Sequence, residues 1–383
     1  MPSRFPPRCR ARAEGRQPQT VAMTKKLMIG GYAGAGKSTL CLLLDGHPQL
    51  RVTTNERFDR VLTSGATQIR DGRAANTNRR HQLQVQFRLQ MDDGIHTVYF
   101  VTFRNLLNVH SFLNIIEAEA LVGEKESRSS TGTVNTVKVD FDFERFQRLW
   151  KKRLFGTDQI FTREQVLDTL YDCFFTSFRD MNWPENENTI NVFCLAYDLA
   201  PVEMALSDGF DAKFIFMRRP REDFYAGLVQ RTAERDDCKT LLDAEGMIRR
   251  QLPRHLNQSV DDRIDALAAR RPESFLILDI SDVAVDYEKT MPRVAKFLDI
   301  EMDEILLRPT FHGRNLPYGE EYLGKVNDAD RAHIVSPLSR AIFELQYHDA
   351  SIWEALRSGN LRAGLEYSRL QLKRSRWGHR LPI

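Results

Sequence analysis

Leu27-Met28-Ile29-Gly30-Gly31-Tyr32-Ala33-Gly34-Ala35-Gly36-Lys37-Ser38-Thr39-Leu40 reads as a short apolar run, a glycine-rich turn and the start of a Leu-rich helix. A phosphate cradle needs that order. Glycines let successive backbone N–H groups point inward, the helix N-terminus adds positive potential, and Lys37 adds a full charge. Gly31 to Ser38 fits the spacing G-x-x-x-x-G-K-[ST], and the flanking run and helix supply the context that the motif requires. Gly31, Tyr32, Ala33, Gly34, Ala35, Gly36, Lys37, Ser38 and Thr39 are therefore expected to surround the phosphates of a nucleotide.

Working outward, the first helix stops at Asp45-Gly46-His47-Pro48, a Gly/Pro signal. The apolar pattern returns at Ile190–Ala196, Lys213–Met217 and Ser274–Ile280, each followed by a helical pattern from about Pro201, Arg221 and Tyr287. Short buried-type runs alternating with helices predict an α/β fold, a three-layer parallel sheet of P-loop type covered on both faces. Ligands of such sheets gather at the carboxyl ends of the strands. Gly34–Ser38, Asp198 and Arg218 are expected to meet there.

Between these segments the rhythm breaks. His81–Arg104 alternates with period two around Asp92-Asp93-Gly94 and predicts a hairpin inserted at a sheet edge. Leu106–Leu121 predicts a helix, Gly123–Thr136 an exposed loop, Val137–Phe143 a strand, and Glu144–Phe155 and Thr162–Phe178 helices. Met181–Glu187 reads as a linker. The expected organisation is a leader at 1–22, a core at 23–327 with an insert at about 57–189, a helical C-terminal part at 328–368 with Trp353 and Leu356 on its packing face, and a loose basic tail at 369–383.

The chain has 383 residues, 42% apolar and 28% charged, enough to bury a large core. Its net charge of +3 hides a pattern: the leader carries +4 and the tail +5, leaving the body at −6. A mildly acidic body excludes a broad nucleic-acid-binding face. No run reaches the length of a membrane span. The Arg- and Pro-rich leader has no apolar stretch, so it is not a secretory signal; a transit peptide or a start at Met23 both fit, and disorder is expected. Five scattered cysteines predict reduced thiols and a cytoplasmic setting, with Cys41 and Cys194 as core residues.

Several stretches together resemble the sulfotransferase superfamily. Leu43-Leu44-Asp45-Gly46-His47-Pro48 is similar to a pattern that ends the family's first helix. Asp211-Ala212-Lys213-Phe214-Ile215-Phe216-Met217-Arg218-Arg219-Pro220 is similar to its strand running into Arg-Asp-Pro. Phe275–Val283 with Val294–Leu298 resembles its late strand and helix, and Pro309-Thr310-Phe311-His312-Gly313 a segment beyond them. The resemblance implies transfer of a sulfuryl group from 3′-phosphoadenosine 5′-phosphosulfate to a hydroxyl or amine acceptor. It places Gly31–Thr39 on the phosphosulfate, Arg218 on the 3′-phosphate, and Glu56 as the catalytic base, with His312 as a minor candidate; under this reading Lys37, whose charge the loop itself supplies, sits on the phosphosulfate in a catalytic role. The chain departs from the family at Gly34, where a basic residue is usual, at Lys37-Ser38 for Thr-Thr, at Arg219 for Asp and at Ala226 for Ser.

Read chemically, the loop alone favours an alternative: a small-molecule kinase using ATP and Mg²⁺, with Ser38 on the metal, Lys37 on the β/γ-phosphates and Asp198 or Asp279 as a supporting acid. A non-catalytic nucleotide-binding protein is the third reading. No protein metal ligands are expected under the first. The acceptor is not readable, and the insert is expected to shape its pocket.

Overall fold

The computed structural model describes residues 24–32, 34–53, 84–91, 94–101, 125–128, 134–137, 142–154, 160–179, 188–195, 199–235, 240–251, 258–311, 313–315, 323 and 335–377. Five strands, β1 (Lys25–Gly31), β2 (Leu50–Thr53), β8 (Ile190–Cys194), β9 (Ala212–Arg218) and β10 (Phe275–Asp279), form one parallel sheet in the order β10-β9-β1-β8-β2. The chain leaves the central β1, builds to one side, then crosses to the other. The carboxyl end of β1 is thus the switch point at which open α/β sheets hold ligands. The remaining strands are β3 (Gln84–Met91), β4 (Gly94–Val101), β5 (Lys125–Arg128), β6 (Val134–Val137), β7 (Ile160–Phe161), β11 (Thr310–Phe311) and β12 (Arg314–Asn315).

The helices are α1 (Lys37–Leu44), α2 (Phe143–Leu154), α3 (Arg163–Thr176), α4 (Ala200–Ser207), α5 (Arg221–Arg235), α6 (Leu241–Gln251), α7 (Gln258–Arg270), α8 (Ile280–Ala284), α9 (Tyr287–Leu298), α10 (Pro337–Tyr347), α11 (Ile352–Arg357) and α12 (Leu361–Trp377). Alternation along β1 divides the core. Leu27 and Ile29 join one cluster with Leu40, Cys41, Val192, Cys194, Ile215 and Met291, and Met28 joins the other with Phe174, Phe193, Phe214 and Phe275. The α/β parallel architecture and the buried Cys41 and Cys194 agree with the sequence reading.

Helix α3 belongs to the sheet rather than to a detached insert. A capping box of Thr162 and Gln165 starts it. Glu164 and Asp168, four residues apart and so on one face, reach Lys26 of β1 at 2.6 and 2.9 Å. The Lys26 ammonium also donates to the Thr24 carbonyl at 2.7 Å, and Thr24 Oγ1 donates to Asp168 while accepting from Asn191. This charged clasp lies at the amino end of β1, opposite the glycine turn.

Several expectations are corrected. The 84–101 hairpin pairs with β7 in a separate three-stranded sheet, not at the edge of the main one. Residues 125–128 and 134–137 form an antiparallel hairpin where a loop was expected, because backbone pairing alone suffices for a short polar ladder. No strand runs through to Phe143: Asp142 accepts from the Arg145 N–H at 2.8 Å and starts α2. Of the two residues expected on the packing face of the C-terminal part, Trp353 is 70% exposed, while Leu356 is half-buried and lies with Ala355 against Gly364 of α12. The boundary expected at Arg369 falls inside α12, whose Ala363, Tyr367 and Leu370 recur at helical spacing and are buried. The leader, Leu106–Leu121, Met181–Glu187 and residues 328–334 lie outside the described residues. Among the described residues, no helix is long and apolar enough to cross a membrane.

Candidate functional site

The turn after β1 begins with a close approach. Gly31 has φ 136°, and a Cβ there would stand 2.4 Å from the Met217 carbonyl oxygen of β9. Only glycine permits that backbone contact. Tyr32 follows, its ring against Phe216 and Phe224. The Ala35 N–H donates to the Tyr32 carbonyl at 3.1 Å and closes the turn, and Gly36, at φ 89°, precedes α1 with no side-chain cap. Ser38 and Thr39 lie in the first turn, where helix geometry supplies no intrahelical acceptor for the backbone N–H, and Ser38 is exposed. Lys37 is only 3% exposed, and its ammonium donates to the carbonyls of Gly31 at 3.0 Å and of Leu195, just past β8, at 2.8 Å.

Strand β9 brings two arginines to the same edge. Met217 is the register partner of Gly31, so Arg218 emerges one residue beyond the start of the turn. Arg219 Nη1 donates to the Gly34 carbonyl at 3.0 Å and ties β9 to the turn directly. Arg218 Nη2 donates to Asp265 Oδ1 of α7 at 2.8 Å, while Arg218 Nε is buried and has no hydrogen-bond partner. Asp261, one turn earlier on α7, accepts from the Tyr32 hydroxyl and from the Tyr347 hydroxyl of α10, the latter at 2.5 Å. Burial, and then the hydrogen bond to Asp261, raise both phenols above the ordinary range, so both stay protonated donors. Helix α7 is thereby fixed across the carboxyl edge of the sheet.

The structure therefore brings together Gly31, Tyr32, Gly34, Ala35, Gly36, Lys37, Ser38, Thr39, Arg218 and Arg219. Ala33, Glu56, Asp198 and His312 lie outside the described residues. Asp279 stands at the same edge, the register partner of Arg218 on β10, and its N–H donates to Asp282 Oδ2 at 2.8 Å where α8 begins. Among the described residues, no group of three His, Cys, Asp or Glu side chains is arranged to hold a metal ion. Asp261, Asp265 and Tyr347 were missed by sequence reasoning. The i,i+4 spacing of the two aspartates marks a shared helix face, but their partner Arg218 lies 43 and 47 residues away.

Two of the resembling stretches prove to be one contact. Asp45 accepts from Thr310 Oγ1 at 2.9 Å and from the Gly313 N–H at 2.7 Å, and the Asp45 carbonyl accepts from Thr310 at 2.7 Å. A Cβ on Gly46, at φ 79°, would stand 2.9 Å from Ile305. His47 Nδ1 accepts from the Gln49 N–H at 3.2 Å, so Nε2 carries the proton toward the Glu301 carbonyl at 3.0 Å. These bonds lock the end of α1, and with it the turn, to the segment 301–313. His47 serves the helix end.

Burial pushes Asp45 up to about 6. A folded-state value above the unfolded one favours the native state below the unfolded pKa, and that advantage is lost as pH rises to about 6. The displacement is worth about 3 kcal/mol. Asp45→Asn is expected to gain about that much relative to the parent between pH 4 and pH 7, read from urea midpoints of both proteins. Parallel pH profiles would contradict this. His47, held low by its own burial, has the opposite sign and cancels in the comparison.

Fold and site thus define an α/β protein with a glycine turn and two arginines at the switch point of a parallel sheet. No protein-family model matches the sequence, and no curated protein matches it. Among solved structures, it is similar to the sulfotransferase domain of the Synechococcus PCC 7002 olefin synthase, with 13% identity and TM-score 0.36 over 83% of this chain and 95% of that one. It is also similar to the sulfotransferase STF9 from Mycobacterium avium, with 13% identity and TM-score 0.33 over 82% of this chain and 75% of that one.

Proposed function

We propose that the chain is a sulfotransferase that binds 3′-phosphoadenosine 5′-phosphosulfate and modifies a hydroxyl or amine acceptor. The observation that carries the reading is Arg218 Nε, a buried donor without a partner one strand away from the glycine turn. A nucleotide with a second phosphate, set apart from the one in the turn, suits two separated anion sites.

In this reading Gly31–Thr39 wrap the 5′ end, with the amides of Lys37, Ser38 and Thr39 as donors. Lys37 turns from the loop carbonyls toward the anion and stabilises charge on the bridging oxygen. Arg218 holds the 3′-phosphate, and Arg219 fixes the carbonyl of Gly34 so that the turn keeps its shape. Glu56 is proposed as the base that takes the acceptor's proton. The bound donor supplies a sulfuryl group on a phosphate leaving group.

Calorimetric titration with adenosine 3′,5′-bisphosphate, adenosine 5′-monophosphate and Mg-ATP tests the reading. The bisphosphate is expected to bind without Mg²⁺. Arg218→Ala is expected to weaken it roughly 10- to 100-fold, the value of a hydrogen-bonded charge, and to leave the monophosphate within about threefold. Mg²⁺-dependent ATP binding that is indifferent to a 3′-phosphate would overturn the reading.

A further inference from the structure

Arg218 presents a planar fork whose Nε and Nη2 face the same side. A phosphate bound side-on takes both. Here Nη2 donates to Asp265 Oδ1 at 2.8 Å and, at a longer 3.5 Å, to the Asp261 carbonyl, and Nε is left without an acceptor. Asp265 therefore occupies half of the site that an anion would fill. We infer that Asp265 is a specificity-determining residue that competes with the ligand's phosphate for the Arg218 fork and limits affinity for nucleotides bearing a 3′-phosphate. The inference rests on the sulfotransferase reading above.

The two aspartates of α7 divide the work. Asp261 is fixed by the hydroxyls of Tyr32 and Tyr347, which anchor the helix to the glycine turn and to α10. Asp265 has no such anchor and its side chain is 54% exposed, so it can swing into water while α7 stays in place. A 3′-phosphate gains both prongs of the fork, but it must first expel a carboxylate and then sit near its charge. A nucleotide without that phosphate leaves the pair closed and meets neither the gain nor the penalty.

Equilibrium titration of the full chain with adenosine 3′,5′-bisphosphate and adenosine 5′-monophosphate tests this, using Asp265→Asn and Asp265→Ala beside Arg218→Ala. Both Asp265 variants are expected to bind the bisphosphate about 3- to 10-fold more tightly and the monophosphate within about twofold of the parent, since a competing charge is removed. With Arg218→Ala also present, the gain from Asp265→Asn is expected to shrink to below about twofold. If the parent prefers the bisphosphate, Arg218→Ala abolishes that preference, and both Asp265 variants bind no tighter than the parent, the inference is overturned and the sulfotransferase reading stands. If neither the parent nor either Asp265 variant distinguishes the two nucleotides, both are overturned.

Discussion

Lys26→Met is expected to destabilise the chain by about 3–5 kcal/mol at neutral pH, because it strands two buried acids. The Lys26 side chain has no exposed surface, and its ammonium meets Glu164 at 2.6 Å and Asp168 at 2.9 Å. Burial already raises both carboxyls above the ordinary range even with the ammonium present. Without it they rise further, so the variant's deficit is expected to shrink as pH falls from 7.5 to 5 and the acids take up protons. Adding Glu164→Gln and Asp168→Asn in the same background is expected to recover more than half of the loss. Urea unfolding at the two pH values reads all of this. A Lys26→Met midpoint equal to the parent's would mean that the clasp contributes nothing.

Gly31→Ala is expected to lose about 3 kcal/mol or more, from two separate causes. The backbone at φ 136° is strained for any L residue, at about 1–3 kcal/mol. The new Cβ would also fall 2.4 Å from the Met217 carbonyl, a backbone atom of a central strand that moves only with its neighbours. Gly209→Ala isolates the conformational share: its φ is 72° and nothing lies within 4 Å of its Cβ, so about 1 kcal/mol is expected there. Because Met217 precedes Arg218, the displacement at Gly31 is expected to weaken binding of adenosine 3′,5′-bisphosphate as well. Thermal unfolding of the two variants, side by side, checks the difference. Equal losses would rule out the collision.

The α/β alternation was legible because each core run, such as Ile190–Cys194 or Ala212–Arg218, is apolar on both faces and stands between helical patterns. The glycine turn was legible because it is local. Pairings between distant segments were not. Nothing in Leu43–Pro48 says that its aspartate will be capped by Thr310 and Gly313, and nothing around Arg218 points to Asp265. Composition misled twice. The polar stretch 123–136 looked like a loop yet holds a hairpin, and the basic stretch after Arg369 looked loose although Tyr367 and Leu370 carry the buried face of α12 into it. In each case hydrogen bonding or one buried stripe outweighed the polarity of the rest.

The central place of β1 has a further consequence, at the ribosome. Both of its neighbours, β8 and β9, are encoded long after it, and about 160 residues separate Gly31 from Ile190. At roughly 5–20 residues per second, β1 emerges about 8–30 s before the first strand that can pair with it. For most of that interval the Leu27–Ile29 run has the leucines of α1 on one face, the other face gains α3 only once Phe174 has emerged, and both of its backbone edges stay open. Of the five strands in the finished sheet, the one that organises it is therefore the one that waits longest for a partner.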